Sequence, residues 1–123
     1  MAIKAANPMA PFEYRPLASE DGDTAVFRLR GLTPLELFDV NAGAEQVVDE
    51  RGQVQAKWTA RAARVAFRAG LLGWDGFMDA DGKPVEFKPG VDANIERLGF
   101  NLTTELFAAI MNASNLSEDQ RKN

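Results

Sequence analysis

Between Gln55 and Leu72 the chain carries its most regular hydrophobic pattern: Trp58, Ala62, Val65, Ala69 and Leu72 recur at spacings of four and three, the period of one helix face. At about 100° per residue, Lys57, Arg61, Arg64 and Arg68 fall on a separate narrow stripe, with Ala60, Ala63, Phe67 and Leu71 beyond it. A helix that is apolar on both sides of a basic strip has to be covered twice, so it is either central to the fold or holds a partner on its second face. In the first reading Phe67 and Leu71 are core, packed by an N-terminal hairpin or by the last helix; in the second they belong to a subunit or client interface. Trp74, just past the helix, has the same two readings: a lid on the core or a binding anchor.

The segments around this helix predict an α+β fold with an N-terminal β-hairpin, central amphipathic helices, a second small hairpin and C-terminal helices. Phe12 and Tyr14 alternate with Glu13 and Arg15, and Ala25 to Arg30 alternates again, which predicts a hairpin with Phe27 and Leu29 inward and Arg28 and Arg30 outward. Thr33-Pro34-Leu35-Glu36 is a helix start, with a capping hydroxyl, proline at the first helical position and a glutamate that reaches back to the cap. That helix runs through Leu37, Phe38 and Val40, and Asn41-Ala42-Gly43 ends or weakens it. Val47-Val48 followed by Glu50-Arg51-Gly52 marks a short element whose type the pattern leaves open.

After Gly73 the Asp81-Gly82 pair predicts a hairpin turn, with Pro84, Val85 and Phe87 on the return strand. Pro89-Gly90 turns the chain, Asp92 caps a short helix through Ile95 and Leu98, and Gly99 stops it. A last helix near Thr103 to Ala113 places Leu102, Leu106, Ala109, Ile110 and Ala113 inward, and Ser117 with Gln120 opens a further capped turn. The 123 residues fit one domain. We divide them into an N-terminal arm, 1–11, a globular unit, 12–116, and a charged tail or short helical turn, 117–123.

Composition restricts the chemistry more than any motif does. With no cysteine and no histidine, thiolate nucleophiles, disulfides and the usual zinc and general-base groups are excluded. A net charge of −4 argues against general nucleic-acid binding, which needs a basic surface to displace counterions. There is no apolar run of membrane-spanning or signal-peptide length, so the expected location is the cytoplasm.

Asp79-Ala80-Asp81-Gly82 resembles part of a calcium loop, but with Asp81 and Gly82 at loop positions five and six, Phe77 and Lys88 occupy the first and twelfth positions, where acidic ligands are required. The acids Asp75, Asp79, Asp81 and Glu86 lack the fixed spacing of a glycosidase pair and read as solvated charge on a turn. No catalytic site, metal or cofactor is expected, and the protein is read as a non-enzyme. Residues 36–50 carry five acids and no base, while 51–68 carry five bases and no acid. The basic stripe therefore either pairs within the chain, solvates, or meets an acidic partner surface. The partner-binding candidates are Lys57, Arg61, Arg64, Phe67, Arg68, Leu71 and Trp74.

Three stretches taken in order resemble the tail assembly chaperones of tailed bacteriophages with long non-contractile tails. They are Phe27-Arg28-Leu29-Arg30-Gly31-Leu32-Thr33-Pro34, then Gly73-Trp74-Asp75-Gly76-Phe77 with Asp81-Gly82-Lys83-Pro84-Val85-Glu86-Phe87, and Leu106-Phe107-Ala108-Ala109-Ile110 leading to Leu116-Ser117-Glu118-Asp119-Gln120-Arg121-Lys122-Asn123. The resemblance covers about residues 25–123 and implies a non-enzymatic protein of the bacterial host cytoplasm. Such a protein binds the tape measure protein during tail assembly, keeps it soluble and is absent from the finished virion. It also implies possible self-association and a frameshift-extended form, with no nucleic-acid or membrane partner. The alternative is a small structural virion component, such as a tail-completion or head-tail joining protein.

Overall fold

The computed structural model describes residues 10–17 and 25–122, with the side chains of 55, 56 and 115–122 excepted. The elements run β1 (Phe12–Tyr14), β2 (Val26–Leu29), α1 (Pro34–Ala42), β3 (Ala44–Val48), β4 (Val54–Trp58), α2 (Ala60–Gly70), β5 (Leu71–Asp75), α3 (Val91–Leu98) and α4 (Phe100–Lys122). The fold is α+β. Antiparallel β1, β2 and β5 form one sheet with β2 in the middle, and β3 and β4 form a separate two-stranded antiparallel sheet. Residues 117–122 continue α4.

The N-terminal hairpin is as the alternation predicts. Phe27 and Leu29 are fully buried while Arg28 is exposed, and Phe12 and Tyr14 pair with Leu29 and Phe27 across the sheet. The Tyr14 hydroxyl donates to Glu105 on α4 at 2.6 Å. Burial first, and then this carboxylate, push the phenol up to about 12. Helix α1 begins at the predicted capping box, and Glu36 closes it in two directions. Its carboxylate accepts the Thr33 amide at 2.9 Å and both terminal nitrogens of Arg30 at 2.9 and 2.8 Å. The Arg30 hydrogen bonds hold the Glu36 carboxyl below its ordinary value.

The central helix is shorter than its pattern predicts. Residues 54–58 form β4, in register with β3 from Ala44↔Trp58 to Val48↔Val54, and helix α2 begins only at Ala60. Thr59 makes the boundary: its hydroxyl accepts the Ala62 amide at 3.3 Å and donates to the carbonyl of Gly43. Trp58 therefore lies on a strand. At the other end Leu71 and Leu72 leave the helix for β5, where Leu71, Gly73 and Trp74 are buried and Leu72 and Asp75 are exposed. Period two wins at both ends because neighbouring strands supply the backbone partners that an isolated helix end lacks.

Other boundaries shift for equally local reasons. Pro84, Val85 and Phe87 form no return strand: the segment keeps one bridge, Met78↔Pro84, plus the Val85 amide to Phe77 at 2.8 Å. The Trp74 indole donates to the carbonyl of Val85 at 2.7 Å. Asp92 does not cap α3. Gly90 is the N-cap, without a side-chain bond, and the Asp92 carboxylate faces Arg64 instead. Helix α4 extends beyond Thr103 to Ala113 in both directions, since no proline or glycine interrupts 100–122.

The core lies between the three-stranded sheet and α1, α2 and α4, with Phe27, Leu29, Leu32, Val40, Phe67, Leu106 and Ile110 all nearly inaccessible. Phe27, Trp74, Phe77 and Phe87 meet edge to face at 4.9–6.0 Å between centroids, which brings the 77–87 segment onto the sheet. Gly70 lets α4 close on the end of α2: a β-carbon there would lie 2.8 Å from Ile110 Cγ2 and 2.9 Å from its Cδ1.

Two predictions follow from these contacts. G70A is expected to be destabilising by about 1–3 kcal/mol through overpacking, and I110A by about 2–5 kcal/mol through the cavity it opens. Since the alanine removes the atoms that G70A strikes, the double variant should be more stable than the sum of the single losses implies, as read by urea unfolding. For Glu36, a folded-state value below the ordinary 4.5 means that its stabilisation is fully present above that pH and fades as pH falls through the folded value. E36Q should therefore lower stability at pH 7 by about 1–2 kcal/mol and flatten the loss of stability on acidification, measured by urea titrations over falling pH.

Candidate functional site

The structure separates the seven residues that the sequence groups as partner-binding candidates. Lys57 is off the helix, on β4, where it stands opposite Glu45 of β3. Arg61, Arg64 and Arg68 remain as a basic edge along α2, all three exposed. Phe67, Leu71 and Trp74 are 1%, 5% and 6% exposed, so their side chains are core and do not form an open face. The second apolar side of α2 is thus covered within the chain, where α1, α3 and α4 pack on this helix. Of the two readings of Phe67, Leu71 and Trp74, the core one describes their side chains.

The acidic 36–50 segment meets the basic 51–68 segment at the Glu45–Lys57 register of the β3–β4 sheet. Among the described residues, no ion pair joins Arg61 or Arg68 to any acid. Arg64 Nε donates to Asp92 Oδ1 of α3 at 2.8 Å, and Glu36 is held by Arg30. Asp79 Oδ1 accepts the amides of Asp81 and Lys83 at 2.9 and 3.0 Å, so this oxygen is taken up by the turn itself.

Phe67, Arg68 and Leu71 nonetheless share one feature. They line a cleft of about 260 Å³ between the end of α2, the start of β5 and the segment from Phe87 to Asn94. Phe67, Leu71, Phe87 and Val91 supply its apolar lining, and the charged side chains lining it are Arg68 and Lys88. Buried Asn94 fixes the far wall: its side-chain oxygen accepts the Lys88 amide and its nitrogen donates to the Lys88 carbonyl, both at 2.8 Å. The Phe87 ring is pinned against the edge of Trp74 at 4.9 Å, and the Arg64–Asp92 pair ties α3 to α2 alongside.

The second surface is the β3–β4 sheet, which the sequence left undefined. It is rooted where Trp58 packs on Phe107 of α4 at 5.6 Å and where Thr59 bonds Gly43. Beyond that root, Val47, Val48 and Val54 are 43%, 64% and 62% exposed. Val48 and Val54 are cross-strand partners on the same face as Trp58, itself 41% exposed, so this side is apolar at both ends with Gln46 between them, while Val47 lies on the other side. Leu35 and Phe38 add exposed apolar area on the outer side of α1.

One sequence signal identifies this hairpin in hindsight. Asp49-Glu50-Arg51-Gly52-Gln53 repeats the arrangement of Asp79-Ala80-Asp81-Gly82-Lys83. In each turn the aspartate Oδ1 accepts the amides two and four residues on, and the glycine sits at positive φ, +79° and +78°. The Asp-x-x-Gly spacing marks both turns, and Val48 and Val54 flank the first.

The chain matches no protein-family model, no curated protein and no solved structure. Among the described residues, no helix is long and apolar enough to cross a membrane. The geometry offers a cleft whose lining combines apolar side chains with Arg68 and Lys88, and a two-stranded sheet with exposed valines. The cleft wall can be tested directly. N94A should lower stability by about 1–3 kcal/mol because it leaves both Lys88 backbone groups without their partner, with the loss read by thermal or urea unfolding.

Proposed function

We propose that this protein is a tail assembly chaperone of a tailed phage, holding the tape measure protein in soluble form while the tail is built. The observation that carries the reading is the exposed apolar side chains on one face of the β3–β4 sheet, Val48, Val54 and Trp58. A two-stranded sheet is marginal in water by itself, and its outer edges present unpaired backbone groups. Such a sheet gains when a partner covers it. A long, largely helical client with apolar faces of its own gains equally, because each covers surface that would otherwise drive aggregation. The basic edge of α2 supplies orientation and encounter rate more than affinity, since its cations are solvent-exposed. The ordered resemblance from Phe27 to Asn123 supports the same reading independently of the surface argument.

Co-expression with the tape measure protein encoded by the same phage tests it. The expected result is a co-purifying complex and a larger soluble fraction of the client. V48E/V54E, at exposed positions, should lower recovery of the complex by about tenfold while leaving the chaperone folded by circular dichroism. Unchanged client solubility with no complex, or the protein itself on immunoblots of purified virions, defeats the proposal.

A further inference from the structure

We infer that the cleft between α2 and the Phe87–Asn94 segment anchors an acidic, apolar segment of the partner protein, seating one apolar side chain against the half-buried Phe87 and Val91 with a neighbouring carboxylate between Arg68 and Lys88. This rests on the protein-binding reading above and assigns the contact a second site, separate from the β3–β4 sheet. Size sets the class of occupant. Pockets for cofactors and drug-sized ligands run roughly 300–1,000 Å³, and about 260 Å³ suits one or two side chains.

Charge sets the chemistry. Arg68 has no ion-pair partner among the described residues, and Lys88 is engaged only by Glu86 at 3.2 Å, with both side chains more than half exposed. A pair of that kind contributes little and yields readily to a better acceptor. The start of α3 adds to the same sign, because Gly90 caps it without a side-chain acceptor and leaves first-turn amides available beside Val91. The site is also preformed. Asn94 and the Trp74–Phe87 contact hold its walls, so little ordering opposes binding. A polyanion such as nucleic acid fits less well, since two lining cations match a single carboxylate and the chain is net negative at −4.

The test uses the full-length chain and a fluorescein-labelled helical peptide of about 15 residues carrying leucine and glutamate at i, i+4 spacing, beside the same peptide with every glutamate replaced by glutamine. Fluorescence anisotropy should show the acidic peptide binding at least about tenfold more tightly than the glutamine peptide. R68E/K88E should abolish that preference and R68K should retain it. V91F, which fills the cleft without changing charge, should block the peptide in a chain that remains helical. Equal binding of the two peptides overturns the inference, as does binding unaffected by R68E/K88E or V91F. So does stronger binding of a single-stranded oligonucleotide, or conversion of an oligomer to a monomer by R68E/K88E in gel filtration, which would make a second copy the occupant. If the tape measure protein fails to co-purify with the wild-type chain while the cleft still selects the acidic peptide, the chaperone reading falls and the cleft assignment stands. If the complex forms and R68E/K88E changes neither it nor peptide binding, the cleft assignment falls alone.

Discussion

Three distant parts of the chain meet where the Arg30 amide donates to the Gly70 carbonyl at 2.9 Å. This bond joins the exit of β2 to the end of α2, and α4 closes over the same place. Ile110 fills the space that a side chain at position 70 would need, and Ser114 Oγ accepts the Leu32 amide at 2.7 Å while donating to the Ile110 carbonyl. Buried backbone groups must find partners. Here a serine on a helix supplies one at the point where the chain leaves the sheet. The sheet, α1 and α2 depend on this junction for their relative placement, and β5 begins directly from it.

The junction also explains why both candidate surfaces lie where they do. With α1, α3 and α4 packed on α2, Phe67 is core, and what remains open on α2 is its basic edge and the cleft at its C-terminal end. The β3–β4 sheet leaves from the opposite end of α2, held at its root by Thr59, Gly43 and the Trp58–Phe107 contact. The two surfaces differ in character: one is a side-chain-sized cleft with two cations in its lining, the other a two-stranded sheet with exposed valines. A partner that meets both would be gripped at two points and aligned by charge.

Signals confined to a few residues were legible before folding. The Thr33–Glu36 capping box, the inward Phe27 and Leu29, the stop at Gly99, and Leu106 with Ile110 on the buried side of α4 all depend on local hydrogen bonding or on one clean period. The 55–72 pattern was harder, because Val54, Ala56 and Trp58 alternate with Gln55 and Lys57 while Trp58 and Ala62 also keep helical spacing. Two periods coexist there, and pairing with β3 selects the shorter one. The Asp92 cap failed for a related reason: a carboxylate near a helix start can serve either the amides or a neighbouring cation, and Arg64 stands close enough to take it.

By itself, then, the sequence determined an α+β fold, the inward face of each element that follows a single period, and the absence of thiol and imidazole chemistry, since these follow from residue type and near-neighbour spacing. Tertiary structure decided which strands pair, that Phe67, Leu71 and Trp74 are buried, and that Arg68 and Lys88 border one cleft. Those outcomes rest on contacts between residues far apart in the chain, where several local readings are nearly equal in energy and packing selects among them.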